Sequence, residues 1–205
     1  MRAWLGRVYV RLWLFRFNGL VGQLSLQMFR FIYPALSVGP GADVWGRFNL
    51  MIFRGGRVTI GSRLHMVSAP PRSAIALYSR CSLTAFPTGS IEIGDGVGLN
   101  GTAITSKKRV RIGDGTMIAP NVIIVDSDFH AQWPPESRLI SDTAASDRAV
   151  TIGKNVWIGM NTVILKGSTI GDNTIIGASS LVSGVIPANV VAAGNPARVL
   201  RPLSS

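Results

Sequence analysis

The sequence predicts an all-β solenoid of short strands wound three to a coil, with a polar loop thrown out of one coil and a basic segment in front. Three observations carry this. Aliphatic residues recur every six positions over much of the second half. Glycine (23 residues) and proline (11) are frequent enough to supply many turns. The period of six fits neither the 3.6 residues of an α-helix nor the simple alternation of a strand that runs on.

The period is clearest in "IGKNVW IGMNTV ILKGST IGDNTI IGASSL VSGVIP". Ile152, Ile158, Ile164, Ile170, Ile176 and Val182 head six consecutive units, and Val156, Thr162, Ser168, Thr174 and Ser180 fill the fifth place. One inward aliphatic per flat face, and three faces per turn, make a coil of 18 residues, the step from Ile152 to Ile170. Coils stacked at strand spacing, about 4.8 Å, then bury a continuous aliphatic ladder. Upstream, "IGDGTMIAPNVI" puts Ile112, Ile118 and Ile124 in the same pattern, "IGDGVGLNGTAI" adds Ile93 and Leu99, and "VTIGSRL" around Ile60 is a weaker copy. The expected organisation is a basic, aromatic-rich segment (1–40), irregular early coils (41–90), a regular solenoid (91–187) and a C-terminal tail (188–205).

One stretch breaks the rhythm. Ile112 and Ile152 are 40 positions apart where a coil needs 18, so about 22 residues are surplus. They fall within 126–149, a polar segment that contains "DSDFHAQWPPESRL" and His130, one of only two histidines. A long polar excursion adds nothing to a core, and loops on rigid scaffolds often carry function.

Composition narrows the chemistry. Cys81 is the single cysteine, so no intramolecular disulfide forms, and it reads as a small buried side chain in a reducing, cytoplasmic compartment. His65, in "SRLHMV", reads as structural. There is no Walker A loop, GxSxG elbow, HExxH or Cys/His metal spacing, and no metal site is expected. The net charge of +11 is uneven: residues 1–80 hold eleven arginines against Asp43, whereas residues 81–205 hold ten basic and nine acidic residues. Residues 1–33 mix arginine with aromatics, and their pattern suits a helix or a strand. The longest charge-free run, Phe17 to Phe29, is 13 residues, short of the roughly 20 that a span needs. The segment is expected either to pack on its own domain or a neighbouring subunit, or to rest on the inner face of an anionic membrane with Trp4, Tyr9, Trp13 and Phe15 at headgroup depth.

"IGDGTMIAPNV", the histidine-bearing loop and "TIGKNVWIGMNTVILKGSTIGDNTIIGASSLVSGVIPANVVAAGNPARVLR" together resemble the hexapeptide-repeat acyltransferases, nearest the galactoside and maltose O-acetyltransferase branch. The resemblance covers about residues 91–201. It implies a left-handed parallel β-helix, a homotrimer with sites between subunits, and acetyl-CoA as co-substrate. His130 falls where the family has its catalytic histidine, one residue further from "APNV" than in the galactoside enzymes. An imidazole can take the proton of a sugar hydroxyl as it attacks a thioester. Asp126 and Asp128 flank the loop, and either could orient the ring. Asn100 matches an acceptor-side asparagine, and Trp157 the tryptophan beside the coenzyme A arm. Met160 stands where a small residue is usual, and Ala178 and Ser183 match positions lining the pantetheine tunnel. Arg198 and Arg201 match the basic end that meets coenzyme A phosphates. Gly184 replaces a frequent lysine there, with Lys166 as a substitute.

The function expected is therefore transfer of acetyl from acetyl-CoA to a hydroxyl of a sugar, glycan or lipid-linked saccharide. Two other readings remain at this point: acetylation of a xenobiotic hydroxyl, and a catalytically silent scaffold that binds glycan or nucleic acid. Nucleic acid is disfavoured, because the arginine–aromatic mixture of residues 1–33 is weak evidence and His130 and Trp157 argue for chemistry.

Overall fold

The computed structural model describes residues 2–70, 73–139 and 143–203, with side chains from Phe17 onward. The aromatics Trp4, Tyr9, Trp13 and Phe15 lie outside the described side chains.

The segment that suits helix or strand is a helix, α1 (Arg2–Ile32), and Pro34 follows its end. The coils begin at once. The first is β1 (Leu36–Val38), β2 (Asp43–Trp45) and β3 (Asn49–Ile52), and the second is β4 (Arg57–Ile60), β5 (His65–Val67) and β6 (Ser82–Ala85). The third is β7 (Ser90–Ile93), β8 (Gly98–Asn100) and β9 (Ala103–Ser106), and the fourth β10 (Val110–Ile112), β11 (Met117–Ile118) and β12 (Ile123–Val125). The fifth is β13 (Val150–Ile152), β14 (Trp157–Ile158) and β15 (Val163–Ile164), and the sixth β16 (Thr169–Ile170), β17 (Ile175–Ile176) and β18 (Leu181–Val182). The last holds β19 (Val185–Ile186) and β20 (Val190–Gly194), and β21 (Ala197–Pro202) turns back on β20.

Every third strand pairs in parallel, which makes a prism of three sheets. Sheet 1 runs β1-β4-β7-β10-β13-β16-β19, sheet 2 runs β2-β5-β8-β11-β14-β17-β20-β21, and sheet 3 runs β3-β6-β9-β12-β15-β18. The register is direct: Ile93, Ile112, Ile152, Ile170 and Ile186 are successive partners up sheet 1. Their side chains fill the prism, and Ile112, Ile152 and Ile170 are each 1% exposed.

The corners explain the rest of the hexapeptide. Asn155, Asn161 and Asn173 adopt positive φ of 53–59°, the left-handed conformation that asparagine tolerates better than most residues. Their amides stack from coil to coil, with Asn173 Nδ2 donating to Asn189 Oδ1 at 2.8 Å. The fifth-place hydroxyls are buried and return their hydrogen bonds to the backbone, as Thr174 Oγ1 does to the Pro187 carbonyl (2.7 Å).

Two stretches differ from the sequence-based division. Residues 36–85 form two coils in register with the rest, although their inward places hold Val38, Val44, Leu50, Val58 and Met66 instead of repeated isoleucine. The tail over 188–205 is in large part a hairpin, because β21 completes the last edge of sheet 2. Cys81 is fully buried, and its thiol donates to the Val67 carbonyl (3.4 Å). Burial pushes that thiol up to about 11, so it is a neutral packing group.

Candidate active site

The excursion leaves the prism at Asp126, just past β12. The Asp126 carboxylate is fully buried and accepts from Ser106 Oγ (2.6 Å), Lys107 N–H (2.7 Å) and Lys108 N–H (2.9 Å). Three donors satisfy a buried charge and fix where the loop begins. At the other end Arg148 N–H donates to the Asp126 carbonyl (3.1 Å). Between them Ser127 Oγ and Thr143 Oγ1 share a hydrogen bond (2.9 Å), and Lys107 Nζ donates to Thr143 Oγ1 (2.9 Å). The base of the loop is tied by polar bonds where the coils are tied by aliphatics.

Phe129 then adopts φ +63°. A bulky side chain pays for that conformation, and such strain collects at functional sites. Its N–H donates to Ser127 Oγ (2.9 Å), and its ring leans on Phe86 at 6.0 Å, itself stacked on Phe53 at 4.9 Å. His130 follows, exposed to solvent, with Nδ1 2.8 Å from the carbonyl oxygen of Arg138. A carbonyl only accepts, so the neutral ring carries its proton on Nδ1 and keeps the Nε2 lone pair free.

The ring's partner is thus a backbone oxygen. Asp126 is spent on the loop base, and Asp128 pairs with Lys166 and accepts from Gln132 Nε2. Neither aspartate hydrogen-bonds His130. The Asp128–Lys166 pair, partly buried, pins the loop to the next coil and occupies the amine that the sequence offered to a phosphate. Beside the loop a cavity of about 490 Å³ is lined by Gln132, Trp133, Thr143 and Ala144 among others.

The remaining positions fall in columns along the corners. After sheet 2 come Asn100, Met160 and Ala178, the last two linked where Ser179 N–H donates to the Met160 carbonyl (2.8 Å). After sheet 3 come Asp126, Asp128, His130, Lys166 and Ser183. The two columns stand at opposite edges of sheet 3, so one chain does not bring His130 to Asn100. Trp157 is outward and half exposed on sheet 2, in register with Met117 below and Ile175 above. That row continues through Val191 to Arg201 on β21. Arg198 and Arg201 are exposed, and each turns one guanidinium nitrogen to a nearby backbone carbonyl.

A second excursion escaped the sequence reading. Residues 68–70 and 73–81 leave the corner between β5 and β6, and Ser73, Ala76 and Tyr78 meet Asn100 and Asn121. Asn100 Nδ2 donates to Ser73 Oγ (3.2 Å), while its Oδ1 is buried with no partner. Asn121, one coil on, donates to the Ala76 carbonyl (3.0 Å) and accepts from Tyr78 N–H (2.9 Å). The signal for this loop was the gap between "VTIGSRL" and "IEIGDGVG", with "APPRS" inside it. Among the described residues, no group of three or more His, Cys, Asp or Glu is placed to hold a metal.

Residues 149–184 match the bacterial transferase hexapeptide (six repeats) family. Over those residues the chain is similar to that family. Its prism is the left-handed parallel β-helix. The chain is 46% identical over 95 residues to the galactoside O-acetyltransferase of Escherichia coli K12, covering 46% of this chain and 45% of that protein. It is 37% identical over 131 residues to the putative lipopolysaccharide biosynthesis O-acetyl transferase WbbJ of the same organism, covering 58% and 64%. The match thus spans less than two thirds of either relative. A solved galactoside acetyltransferase in complex with coenzyme A superposes with a TM-score of 0.52 at 28% identity, over 91% of this chain and 81% of that one.

Proposed function

We propose that the protein transfers an acetyl group from acetyl-CoA to a hydroxyl of a sugar, free or within a glycan or lipid-linked saccharide. The observation that carries this is the His130 ring, held through Nδ1 by the Arg138 carbonyl with Nε2 open to solvent. Nε2 takes the proton of the acceptor hydroxyl as its oxygen attacks the thioester carbonyl. The tetrahedral adduct collapses, the C–S bond breaks, and the departing thiolate recovers the proton from the imidazolium. No covalent enzyme intermediate is needed.

The coenzyme A arm fits the outward row of sheet 2. Trp157, with Met117 and Ile175, offers an apolar platform, and Arg198 and Arg201 supply positive charge at its far end for phosphates. Ala178 leaves room at the corner, and the partnerless Asn100 Oδ1 is an acceptor for a sugar hydroxyl. Because the His130 and Asn100 columns lie at opposite edges of sheet 3, a complete site needs the His130 corner of one copy beside the Asn100 corner of another. A homotrimer of prisms provides that closure. The galactoside and lipopolysaccharide acetyltransferase relatives support a saccharide acceptor.

Calorimetric titration of the purified protein with acetyl-CoA and with dephospho-CoA tests the donor. Saturable binding, weakened by loss of the 3′-phosphate, is expected. Absence of heat at millimolar donor would remove the acyl-transfer reading and leave a binding scaffold. A panel of sugars and lipid-linked saccharides, with His130→Ala as control, then identifies the acceptor.

A further inference from the structure

α1 has two apolar faces, and only one is used. The inner face lies against the first coil. Gly22 is needed there, since a Cβ at that position would stand 2.0 Å from the Val44 carbonyl oxygen. Leu26 is 3% exposed, and Phe29 meets Phe48 edge-on at 5.0 Å. Gln23 and Arg30 donate to the Ala42 and Val38 carbonyls, at 2.9 and 3.1 Å. These bonds fix the rotation of the helix about its axis.

At about 100° per residue, Phe17, Leu20, Leu24, Met28 and Phe31 form one row on the side away from the prism. They are 48%, 59%, 59%, 50% and 90% exposed. Two opposed apolar stripes explain why the sequence of this segment looks only weakly amphipathic. In sequence, the same spacing runs upstream through Trp13 and Val10. The helix also carries Arg2, Arg7, Arg11, Arg16 and Arg30 and no acidic residue.

We infer that α1 is an interfacial helix that lays the row Phe17–Leu20–Leu24–Met28–Phe31 into the surface of an anionic lipid bilayer, so that the prism stands on the membrane by its first coil. A continuous exposed apolar row on a helix whose sequence holds five arginines and no acid is the pattern that binds anionic headgroups while burying apolar side chains among the acyl chains. A second copy of α1 is a poor occupant, because it brings arginine against arginine with no carboxylate on either helix. Nucleic acid is a poorer occupant, since three of the five residues of the row, Leu20, Leu24 and Met28, offer no ring on which a base can stack. Among the described residues no helix is long and apolar enough to cross a membrane.

The full chain, mixed with phosphatidylcholine vesicles or with phosphatidylcholine–phosphatidylglycerol vesicles and floated on a density gradient, tests this. It is expected to float with the anionic vesicles at least about tenfold more than with the neutral ones, and less so as salt rises. The double substitution Leu20→Gln and Leu24→Gln, which changes no charge, is expected to lower that partition at least about tenfold, with solution mass and thermal midpoint kept. Phe31→Ser, at the most exposed position, serves as a milder variant should the pair fold poorly. No flotation at low salt would overturn the proposal, as would equal flotation on both vesicle types. A change in oligomeric mass on substitution would overturn it by making the row a subunit interface.

Discussion

Ile170 and His130 are held in place by different means. Ile170 is one rung of a ladder, paired with Ile152 and Ile186 in sheet 1 and packed among residues that repeat it coil after coil. His130 owes its aim to single bonds: one carbonyl on Nδ1, one strained aromatic before it, one buried carboxylate at the loop base. The prism is redundant, so a lost rung is shared out among its neighbours. The loop is not, so each of its bonds is irreplaceable. Stability and activity should therefore respond to different substitutions.

The largest effect expected is on activity alone. His130→Ala should lower kcat about a thousandfold and leave the thermal midpoint in place, because the side chain is exposed and outside the core. A matching loss of secondary structure would break the contrast. Ile170→Ala should do the reverse. It opens a cavity at a site 1% exposed and is expected to cost about 3 kcal/mol in urea unfolding, with kcat per folded molecule unchanged.

Asp126→Asn tests the joint between the two regions. An amide presents one acceptor oxygen and an NH₂ to three donors that need acceptors. A loss of about 2 kcal/mol is expected, together with a lower kcat, because the same carboxylate sets where the loop starts. Loss of stability with full activity would show that the loop holds its shape without that anchor.

Cys81 gives an effect that appears only in alkali. Its folded value, about 11, lies above the ordinary 9.0, so the unfolded chain gives up this proton first. The stabilisation is whole below pH 9 and is lost as pH climbs towards 11. Cys81→Ala should flatten that part of the stability profile relative to the parent chain. Smallest of all is the exposed pair of Asp114 and Lys154 at the corner that follows sheet 1 (2.9 Å). The ammonium, by its hydrogen bond and charge, draws the Asp114 carboxyl below its usual range, yet Asp114→Asn should leave the unfolding midpoint where it is.

The sequence carried the regular coils plainly, because one inward branched aliphatic per face is a local rule repeated without exception from Ile152 to Val182. It carried the early coils poorly, since Val38, Leu50 and Met66 serve the same inward role without repeating a letter. His130 was legible as the histidine inside the broken rhythm. Its partner was not, because the Arg138 oxygen belongs to a main chain that every residue possesses. Lys166 and Asp128 looked independent in sequence and are one pair in space, since a coil step brings distant residues together. The helix α1 hid its nature because its two apolar faces cancel in any average around its axis.

At the far end of sheet 2, β21 runs antiparallel to β20. Each parallel coil offers the next the same template in the same direction, which is the geometry by which a filament grows. A reversed strand presents the wrong polarity to any incoming coil at that edge, while Gln23 and Arg30 of α1 already hold main-chain carbonyls of the first coil. Growth by adding chains end to end is therefore blocked along sheet 2.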